Sequence, residues 1–345
     1  MTQQPMVSLV VLCRNEAGFI EACLDSLLEG TYPHDRVEAI VVDGMSDDGT
    51  LDILSRYAAT DSRVRIVANP RRITPVAFNL GIAAARGEIV MPIGAHCVYQ
   101  PTYIQRLVHE MQRSGADNVG GVCQTVPANG TAVARAIAAA MAHPLGVGNS
   151  HFRVGATEPR WVDTVPFGCY RTEVFSRIGL FDEELLRNQD DEFNHRLISA
   201  GGRILLVPDV STDYYARDSM RKLAAMFWQY GHYKPLVVRK LGHVPTLRQL
   251  VPPAFVAALV GSALLAILPG IWRLPLALLL ICYGAVVLLV AIRAAPRVGV
   301  APAALLIAAI PVIHLAYGSG WLRGAWDFLV LRRAAPASDQ LRVTR

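Results

Sequence analysis

Paired cysteine motifs are missing from this sequence. Its six Cys are scattered over 345 residues without a C-x-x-C pair, and no His follows them at zinc-finger spacing. Several of them lie in apolar, strand-like runs, where Cys behaves as a small buried hydrophobe. The pattern argues against a zinc finger and favours a reducing compartment.

Lysine is absent from the last hundred residues, and acidic residues are almost absent there. Residues 246–345 contain nine Arg and only Asp327 and Asp339, which gives a net charge of +7. The whole chain carries +5, so residues 1–245 have a net charge of −2. The basic character therefore belongs to the segment with long apolar runs, where Arg flanks membrane spans and meets anionic lipid headgroups. Nothing in this distribution is typical of a nucleic-acid-binding face.

The N-terminus lacks the features of a secretory signal. The segment MTQQPMVSLVVLC has no basic first part and no small-residue cleavage site. We therefore expect the first domain to remain in the cytoplasm. No internal repeat is visible, and the length fits one ordinary soluble domain plus a smaller part.

Short apolar runs and amphipathic stretches alternate through the first hundred residues. Buried strands are predicted at 7–12, 37–42, 64–67 and 88–93. Helices are predicted between them at 17–28, 50–59 and 74–85. This order predicts an α/β fold with a mixed, mostly parallel sheet and helices on both faces. Ligands bind such sheets beyond the carboxyl ends of the strands, where Asn15, Glu16, Asp43 and residues 94–97 fall.

The pattern is looser between residues 115 and 245, where a helix at 132–142 and a short strand at 203–207 are predicted. Long apolar stretches then follow. Residues 251–268 and 274–292 are each long enough to span a bilayer. A third stretch, 300–317, contains two Pro and one His, and an interfacial helix is predicted at 320–333.

These stretches predict a cytoplasmic domain, residues 1–245, and a membrane-embedded helical tail, residues 246–345. We expect a multi-pass protein of the cytoplasmic membrane. With a cytoplasmic N-terminus, three full spans place the Arg-rich C-terminus outside, against the positive-inside tendency. Either the third stretch is re-entrant or the tail departs from the rule.

The chain opens, in this order, with VSLVVLCRNE, CLDSLL, YP and VEAIVVDGMSDDGT. These motifs resemble those of the inverting family-2 glycosyltransferases with the A-type fold, and the resemblance extends over residues 6–245. The bacterial succinoglycan-biosynthesis subgroup has segments similar to those that follow, NPRRITPVAFNLGIAAARGEIV, VDTVPFGCYRTEVF, GLFDEELLRNQDDEFNHRL and QYGHYK. The resemblance implies the A-type nucleotide-binding sheet and an enzyme that uses a nucleotide sugar.

The resemblance implies that Asp43 binds the nucleotide, since it stands where the family has its base- and ribose-binding acid. A carboxylate there accepts hydrogen bonds from a uracil-type imide and a ribose hydroxyl. The alternative is a cap for the helix that begins near Thr50, a role that Asp47 or Asp48 serves better.

The resemblance also places Asn15 and Glu16 at the nucleotide end of the first strand, where the alternative is a simple turn. Arg71 or Arg72 is expected to meet the diphosphate or the base edge. A solvated loop is an equally good interpretation of this arginine pair.

The segment from Gly94 to His96 departs from the family, which has a D-x-D or D-x-H motif there. The last residue of that motif helps to hold Mg²⁺ or Mn²⁺ on the donor diphosphate, and His96 occupies its position. Imidazole suits Mn²⁺ better than Mg²⁺. Because Gly94 replaces the first acid, we expect weaker cation binding. The alternative is that His96 is only a polar loop residue.

The acids that follow Asn188 are similar to the family's E-D-x-E region, which carries the catalytic base. By position Asp190 is the better candidate and Asp191 the second. An inverting transfer needs one carboxylate that takes the proton of the acceptor hydroxyl as its oxygen attacks. The alternative is an N-terminal helix turn, where acids are favoured by the helix dipole.

The QYGHYK segment corresponds to a family region that closes over the donor diphosphate or the acceptor. Lys234 or His232 is expected to bring positive charge to the leaving group. The same stretch also suits an interfacial aromatic belt built from Trp228, Tyr230 and Tyr233. The two interpretations are compatible.

The resemblance as a whole implies one in-line displacement with inversion, in which a sugar leaves a nucleoside diphosphate and joins a hydroxyl. The membrane tail implies contact with membrane lipid. It also implies a lipid-linked or polyprenyl saccharide acceptor, as used in exopolysaccharide or cell-envelope glycan synthesis. One alternative is a polyprenyl-phosphate sugar synthase, whose acceptor is a phosphate oxygen. Another, suggested by Gly94 alone, is an inactive membrane-bound scaffold that binds nucleotide sugars.

Overall fold

The computed structural model describes residues 4–334, which pack into two compact units. The first unit consists of residues 4–124 and 155–214, and the second of residues 125–154 and 215–334. Asp339, Arg342 and Arg345 of the Arg-rich tail lie outside the described residues. Because these units reflect packing and not function, the predicted division at residue 245 stays a prediction.

One sheet organises the first unit, and within the described residues it has eight strands. They are β1 (Val7–Cys13), β2 (Val37–Asp43), β3 (Val64–Ala68), β4 (Ile89–Gly94), β5 (Asn118–Val126), β6 (Arg160–Trp161), β7 (Cys169–Arg171) and β8 (Ile204–Tyr215). Their order is β3-β2-β1-β4-β7-β5-β8-β6. β1 is parallel to β2 and β4, and β2 to β3, whereas β7 is antiparallel to β4 and β5, and β6 to β8. The predicted mixed, mostly parallel sheet is confirmed.

Helices alternate with the first strands as predicted. In chain order the helices are α1 (Ile20–Leu28), α2 (Thr50–Thr60), α3 (Thr74–Ala84), α4 (Tyr103–Ser114), α5 (Ala132–Met141), α6 (Pro144–Val147), α7 (His151–Val154), α8 (Thr172–Ile178), α9 (Gln189–Ser199), α10 (Met220–Leu241), α11 (Val251–Leu265), α12 (Leu274–Val298) and α13 (Val300–Gly324). Every residue of β2 is buried. Such burial is typical of a parallel strand that helices cover on both faces.

The stretch from residue 115 to 245 is more regular than its sequence suggests. The strand predicted at 203–207 is the first part of the twelve-residue β8, and β5 has nine residues. Polar side chains lie inside the sheet here, for example the buried Asn118 and Thr212. They interrupt the apolar pattern on which the strand prediction depends.

Glycines bring α10 and α13 of the second unit into backbone contact. A Cβ atom on Gly320 would lie 2.3 Å from the carbonyl oxygen of Trp228, and one on Gly324 only 2.0 Å from that of His232. Neither position therefore accepts a larger residue unless the helices move apart. Small residues have this role in closely packed apolar helices.

Three helices of the described chain are long and apolar enough to cross a membrane: Leu247–Leu265, Gly270–Val298 and Val300–Val330. The second contains the predicted span 274–292, whereas the first ends three residues before the end of the predicted span 251–268. The third differs from the prediction, because α13 continues through Pro311 to Gly324 and then into a π-helical turn, Ala325–Val330. The interfacial helix predicted at 320–333 is therefore not a separate element.

Candidate active site

The carboxyl ends of β1, β2 and β4 meet at one edge of the sheet. In the strand register Cys13 lies opposite Asp43, and Leu12 lies opposite Gly94. The loops after these strands therefore leave the sheet side by side. The loops after β1, β2 and β4 are the segments predicted to bind a ligand. The structure therefore brings these predicted segments together.

Asp43 ends β2, and its carboxylate is buried. The backbone N–H of Ser46 donates to its Oδ2 atom (3.0 Å), and the Ser46 hydroxyl donates to its Oδ1 atom. A carboxylate accepts more than two hydrogen bonds, so Asp43 keeps capacity for a ligand. The N-cap of α2 is Gly49, and the acid that accepts a hydrogen bond at the start of this helix is Asp48, from the N–H of Thr50 (3.1 Å).

Asn15 joins the loop after β1 to the loop after β2. Its side-chain N–H donates to Oδ1 of Asp47 (2.8 Å), and the Asp47 backbone N–H donates to Oδ1 of Asn15 (3.0 Å). Its backbone N–H donates to the Ser46 hydroxyl (2.9 Å), which also binds Asp43. Asn15 therefore fixes the position of the Asp43 loop. Direct contact of Asn15 with a nucleotide stays a prediction.

Glu16 lies next to His96, across the two loops that follow β1 and β4. The Oε1 atom of Glu16 is 3.8 Å from Nδ1 of His96. The backbone N–H of Glu16 donates to the Thr50 hydroxyl (2.9 Å), which fixes the base of this side chain. The His96 side chain is 44% exposed and that of Glu16 16%, so the pair opens to solvent on the imidazole side.

This spacing suits a shared divalent cation. Two atoms bound to one cation through bonds of about 2.1 Å are about 3–4 Å apart, depending on the angle between the bonds. The separation of 3.8 Å lies in that range and exceeds the length of an ordinary hydrogen bond. An imidazole nitrogen with a carboxylate oxygen is a donor set that Mn²⁺ accepts. The residues present therefore fit such an ion.

Three buried thiols near Glu16 stay protonated. Burial raises the pKa of Cys97 to about 12, and it raises the pKa of Cys13 and Cys23 further, with the Glu16 carboxylate contributing in each case. Only the thiolate acts as a nucleophile or a metal ligand, so these thiols have neither role at neutral pH. Among residues 4–334 no three His, Cys, Asp or Glu side chains are grouped to hold a metal ion. A cation between Glu16 and His96 therefore takes its further ligands from other groups, such as water or a substrate.

Gly94 ends β4 and has no side chain to bring to this edge. Its peptide is held by Tyr99, whose hydroxyl accepts from the Gly94 N–H (3.1 Å). The space beside its Cα is occupied by the ring of Phe167, 3.0 Å from where a Cβ atom would lie. The missing acid is therefore replaced by an aromatic contact, and this contact has no signal in the local sequence.

The three acids at the start of α9 have different surroundings. Glu192 is buried and pairs with Arg196 (2.8 Å), which also donates to the carbonyl oxygen of Leu180 (2.8 Å). Asp191 is half-buried, with Oδ1 3.9 Å from Nε2 of the buried His195. Asp190 is the exposed acid of the three. Its exposure is compatible with contact to an acceptor, and its role as the base stays a prediction, as does that of Asp191.

A buried hydrogen-bond network, which sequence reasoning missed, holds α9 against the sheet. The Asn194 Oδ1 atom accepts from the side chains of Asn118 and Tyr170, both at 3.0 Å. The Asn194 amide donates to the Thr164 hydroxyl (2.8 Å). Burial raises the pKa of Tyr170, and the charge of Asp190 adds to the rise, so Asp190 lies near this network.

The arginine pair after β3 lies in a loop that is tied to both β2 and the segment before α9. The Asn69 N–H donates to the carbonyl oxygen of Asp43 (2.7 Å), which sets this loop beside the Asp43 loop. Arg71 forms an ion pair with Glu183, and Glu183 also accepts from the Asn79 side chain (3.1 Å). Arg72 is exposed, with a left-handed backbone (φ 58°). Its predicted contact with a diphosphate stays a prediction.

Lys234 lies half-buried on α10 of the second unit. On the same helix, the buried His232 stacks on Trp228 with ring centroids 4.9 Å apart and also contacts Tyr233. These aromatic contacts pack His232 within its own unit, and the charge that it is expected to bring to a leaving group stays a prediction. The charge that Lys234 is expected to bring to a leaving group stays a prediction.

Known proteins resemble this chain over most of its length. The glycosyl transferase family 2 model matches residues 8–179. The succinoglycan biosynthesis protein ExoA of Rhizobium meliloti is 34% identical over 332 residues, which cover 93% of this chain and 95% of that protein. The Methanococcus voltae dolichyl N-acetyl-alpha-D-glucosaminyl phosphate 3-beta-D-2,3-diacetamido-2,3-dideoxy-beta-D-glucuronosyltransferase is 30% identical over 243 residues, 68% of this chain and 74% of that enzyme.

Solved structures share the fold at lower identity. The mannosyltransferase PcManGT of Pyrobaculum calidifontis, solved with GDP-Man and Mn²⁺, has a TM-score of 0.60 and 21% identity, and the match covers 94% of this chain and 88% of that one. A fragment of S. aureus TarS, solved with UDP-GlcNAc, has a TM-score of 0.52 and 17% identity, with 92% and 90% covered. The chain spans 42% of a longer TarS structure. At these identities the likeness establishes the fold alone.

Proposed function

The chain belongs to glycosyl transferase family 2, and from this premise we propose that it transfers a sugar, with inversion, to a hydroxyl group of a lipid-linked saccharide. The family makes the protein a nucleotide-sugar-dependent glycosyltransferase. The acceptor, the inversion and the product are our proposal. The product we propose is part of an exopolysaccharide or a cell-envelope glycan.

Two observations support a lipid-linked acceptor. The Rhizobium meliloti relative is named for succinoglycan biosynthesis, and the Methanococcus voltae relative has dolichyl N-acetyl-alpha-D-glucosaminyl phosphate in its name. This chain has three helices long and apolar enough to cross a bilayer. An enzyme held in the membrane meets a lipid-linked acceptor in the same layer. We propose a multi-pass protein whose residues 1–245 face the cytoplasm, where the free, mostly buried cysteines stay reduced.

In this proposal the nucleotide binds at the edge where β1, β2 and β4 end. Asp43 accepts hydrogen bonds from the base or the ribose. The Asn15–Asp47 pair holds the loop that carries Asp43, so that the carboxylate is positioned before the ligand arrives. Arg72 is proposed to meet the diphosphate, because it is exposed in the loop beside Asp43.

The Glu16–His96 pair is proposed to hold a divalent cation on the donor diphosphate. When bound, such a cation neutralises the negative charge that grows on the leaving diphosphate. The mixed nitrogen and oxygen donor set favours Mn²⁺ over Mg²⁺. Glu16 supplies a carboxylate at this edge. This carboxylate compensates for the acid that is missing at position 94.

Asp190 is proposed as the general base of one displacement step. Its carboxylate takes the proton of the acceptor hydroxyl while that oxygen forms a bond to the anomeric carbon. The bond between the anomeric carbon and the diphosphate oxygen breaks, and the nucleoside diphosphate leaves with the bonding electron pair. Attack from the opposite side inverts the configuration and needs no covalent intermediate with the protein.

The observation that carries the proposal is the convergence of Asp43 and the Glu16–His96 pair on one strand edge. The test is a panel of UDP-, GDP-, dTDP- and CMP-sugars, measured as thermal stabilisation of the detergent-solubilised full chain with Mn²⁺. A ligand at 100 times its Kd stabilises a protein by about 2.7 kcal/mol, so one panel member should raise the melting temperature clearly. Stabilisation by no panel member contradicts the proposal.

The acceptor is tested with the donor that the panel selects. Incubation with a polyprenyl-diphosphate saccharide should yield a product that resists mild acid at the new linkage, because a glycosidic bond is formed. A sugar joined to a phosphate oxygen is acid-labile. Transfer to polyprenyl phosphate, with mild acid releasing the transferred sugar as a free monosaccharide, would instead identify a polyprenyl-phosphate sugar synthase.

A further inference from the structure

Phe167 occupies the space into which a side chain at position 94 would project. A Cβ atom on Gly94 would lie 3.0 Å from Cζ and 3.1 Å from Cε1 of Phe167, and 3.5 Å from Sγ of Cys97. The first two distances are shorter than ordinary van der Waals contacts between carbon atoms. A side chain at position 94 would therefore require the Phe167 ring to shift by a few tenths of an ångström.

The backbone of Phe167 has a conformation that is rare for an aromatic residue. Its φ angle is 45°, in the left-handed region. A bulky residue in that region is an outlier with a strained backbone. Such conformations persist where the surroundings hold them, and they are concentrated at functional sites.

The neighbours of Phe167 hold it in place. The Tyr103 hydroxyl lies 3.4 Å from the Phe167 carbonyl oxygen and donates to it. The next residue, Gly168, is pressed against Asn118, since a Cβ atom there would lie 2.1 Å from Oδ1 of Asn118. Asn118 belongs to the buried network that also fixes α9. Phe167 therefore packs against the end of β4, and the residue after it contacts a hydrogen-bond partner of α9.

Full burial would be expected if packing were the whole role of this ring. Phe181 and Phe193 of the same unit stack on each other, and both are buried. Phe167 is only partly buried, although one side of it packs against the hydrophobic core. The Cζ and Cε1 atoms of its ring face Gly94, the last residue of β4.

We propose that Phe167 is a specificity-determining residue of the donor site. Its ring replaces a side chain at position 94 and forms an apolar wall, against which the C–H face of the donor's pyranose ring packs. The inference rests on the proposed function, because it places the sugar of a nucleotide sugar beside the loop that carries His96. An aromatic wall accepts no hydrogen bond, so it selects by the shape and the apolar area of the sugar.

The contact between positions 94 and 167 is tested first, by thermal unfolding of the full chain in detergent. Gly94→Asp should lower the melting temperature, because its Cβ atom meets the Phe167 ring. In a Phe167→Ala background, Gly94→Asp should lower the melting temperature much less. Gly130→Asp is the matched control, since a Cβ atom there meets no atom within 4 Å. An equal loss in both backgrounds would contradict the proposed contact.

The contact with the sugar is tested by comparing two ligands, the nucleotide sugar that the panel selects and its free nucleoside diphosphate. Phe167→Ala should weaken binding of the nucleotide sugar about threefold to tenfold, as for the loss of an aromatic contact. Binding of the nucleoside diphosphate should change less than twofold, and Phe167→Leu should fall between the wild type and Phe167→Ala. Trp161→Ala, on the edge strand β6, is the aromatic control.

Each outcome of the comparison decides the inference. A selective loss of nucleotide-sugar affinity supports it. Equal losses for both ligands, or no loss for either, overturn it and leave the proposed function standing if the wild type still binds a nucleotide sugar. A wild type that binds no nucleotide sugar contradicts the proposed function and this inference together.

Discussion

The Nδ1 atom of His96 lies 3.8 Å from Oε1 of Glu16, on loops that follow two neighbouring parallel strands. If both atoms bind one cation, removal of either should weaken Mn²⁺ binding in the presence of a nucleoside diphosphate. We expect a loss of about tenfold or more for His96→Ala and for Glu16→Gln. The measurement is the free Mn²⁺ signal in an electron paramagnetic resonance titration.

Two exposed residues serve as controls for this titration. His109 on α4 and Glu21 on α1 have the same chemistry but lie on helix surfaces. His109→Ala and Glu21→Gln should leave the Mn²⁺ titration unchanged. Retention of wild-type Mn²⁺ affinity by His96→Ala would show that cationic side chains neutralise the diphosphate, and Arg72 and Lys234 would be tested next.

Substitutions of Asp43 and Asp48 should separate an effect on ligand binding from an effect on the start of helix α2. Asp43→Asn keeps an oxygen for one of the two Ser46 hydrogen bonds but removes the second acceptor and the charge, and we expect the nucleoside diphosphate to bind about 10- to 100-fold more weakly. Asp48→Ala should lower the melting temperature through the start of α2 without changing that affinity. Calorimetric titration with nucleoside diphosphate measures the affinity of both variants. An unchanged affinity of Asp43→Asn would show that Asp43 is only a loop residue.

The Asn194 network should matter for stability as well as for turnover. Asn194→Ala leaves the polar groups of Asn118, Tyr170 and Thr164 without this partner, and a buried unsatisfied group costs about 1–3 kcal/mol. Tyr170→Phe removes one donor and should cost less. Thermal unfolding measures both variants. A melting temperature of Asn194→Ala equal to that of the wild type would show that water replaces the network.

Acid should destabilise the first unit through Glu38. Burial alone raises the pKa of this carboxyl, but hydrogen bonds from the Ser8 hydroxyl, the Arg86 N–H and the Arg65 guanidinium outweigh burial and hold its pKa below the usual range. A depressed folded pKa gives stability above the unfolded pKa, about 4.3, and this stability is lost as the pH falls through the folded pKa. In melting curves from pH 7 to pH 3, Glu38→Gln should therefore show a smaller decrease in melting temperature than the wild type.

The alternation of strands and helices up to β4 could be predicted from sequence, because short β-branched runs and amphipathic stretches follow one another there. The edge to which Asn15, Glu16 and Asp43 belong followed from that alternation, since parallel strands end on the same side. The strands from β5 to β8 were harder to predict. They pair partly antiparallel, and some of their interior positions are polar.

Contacts between distant residues could not be predicted at all. Gly94 and Phe167 are far apart in the chain, and their contact exists only because the segment before β7 returns beside β4. The Glu16–His96 pair depends on the register of β1 and β4 in the same way. Asn194 lies in a helix whose pattern indicates only which face is apolar. Its three partners come from other segments of the first unit.

The most direct test of the account is turnover of Asp190→Asn with the donor that the panel selects, beside Asp191→Asn and the structural control Glu192→Gln. We predict a loss of turnover of about 10²- to 10⁴-fold for Asp190→Asn, as for a missing general base, with donor affinity close to that of the wild type. Glu192→Gln should lower the melting temperature, because it removes the charge that pairs with Arg196. An active Asp190→Asn beside an inactive Asp191→Asn would move the base to Asp191, and full activity of both would contradict the catalytic role of this helix.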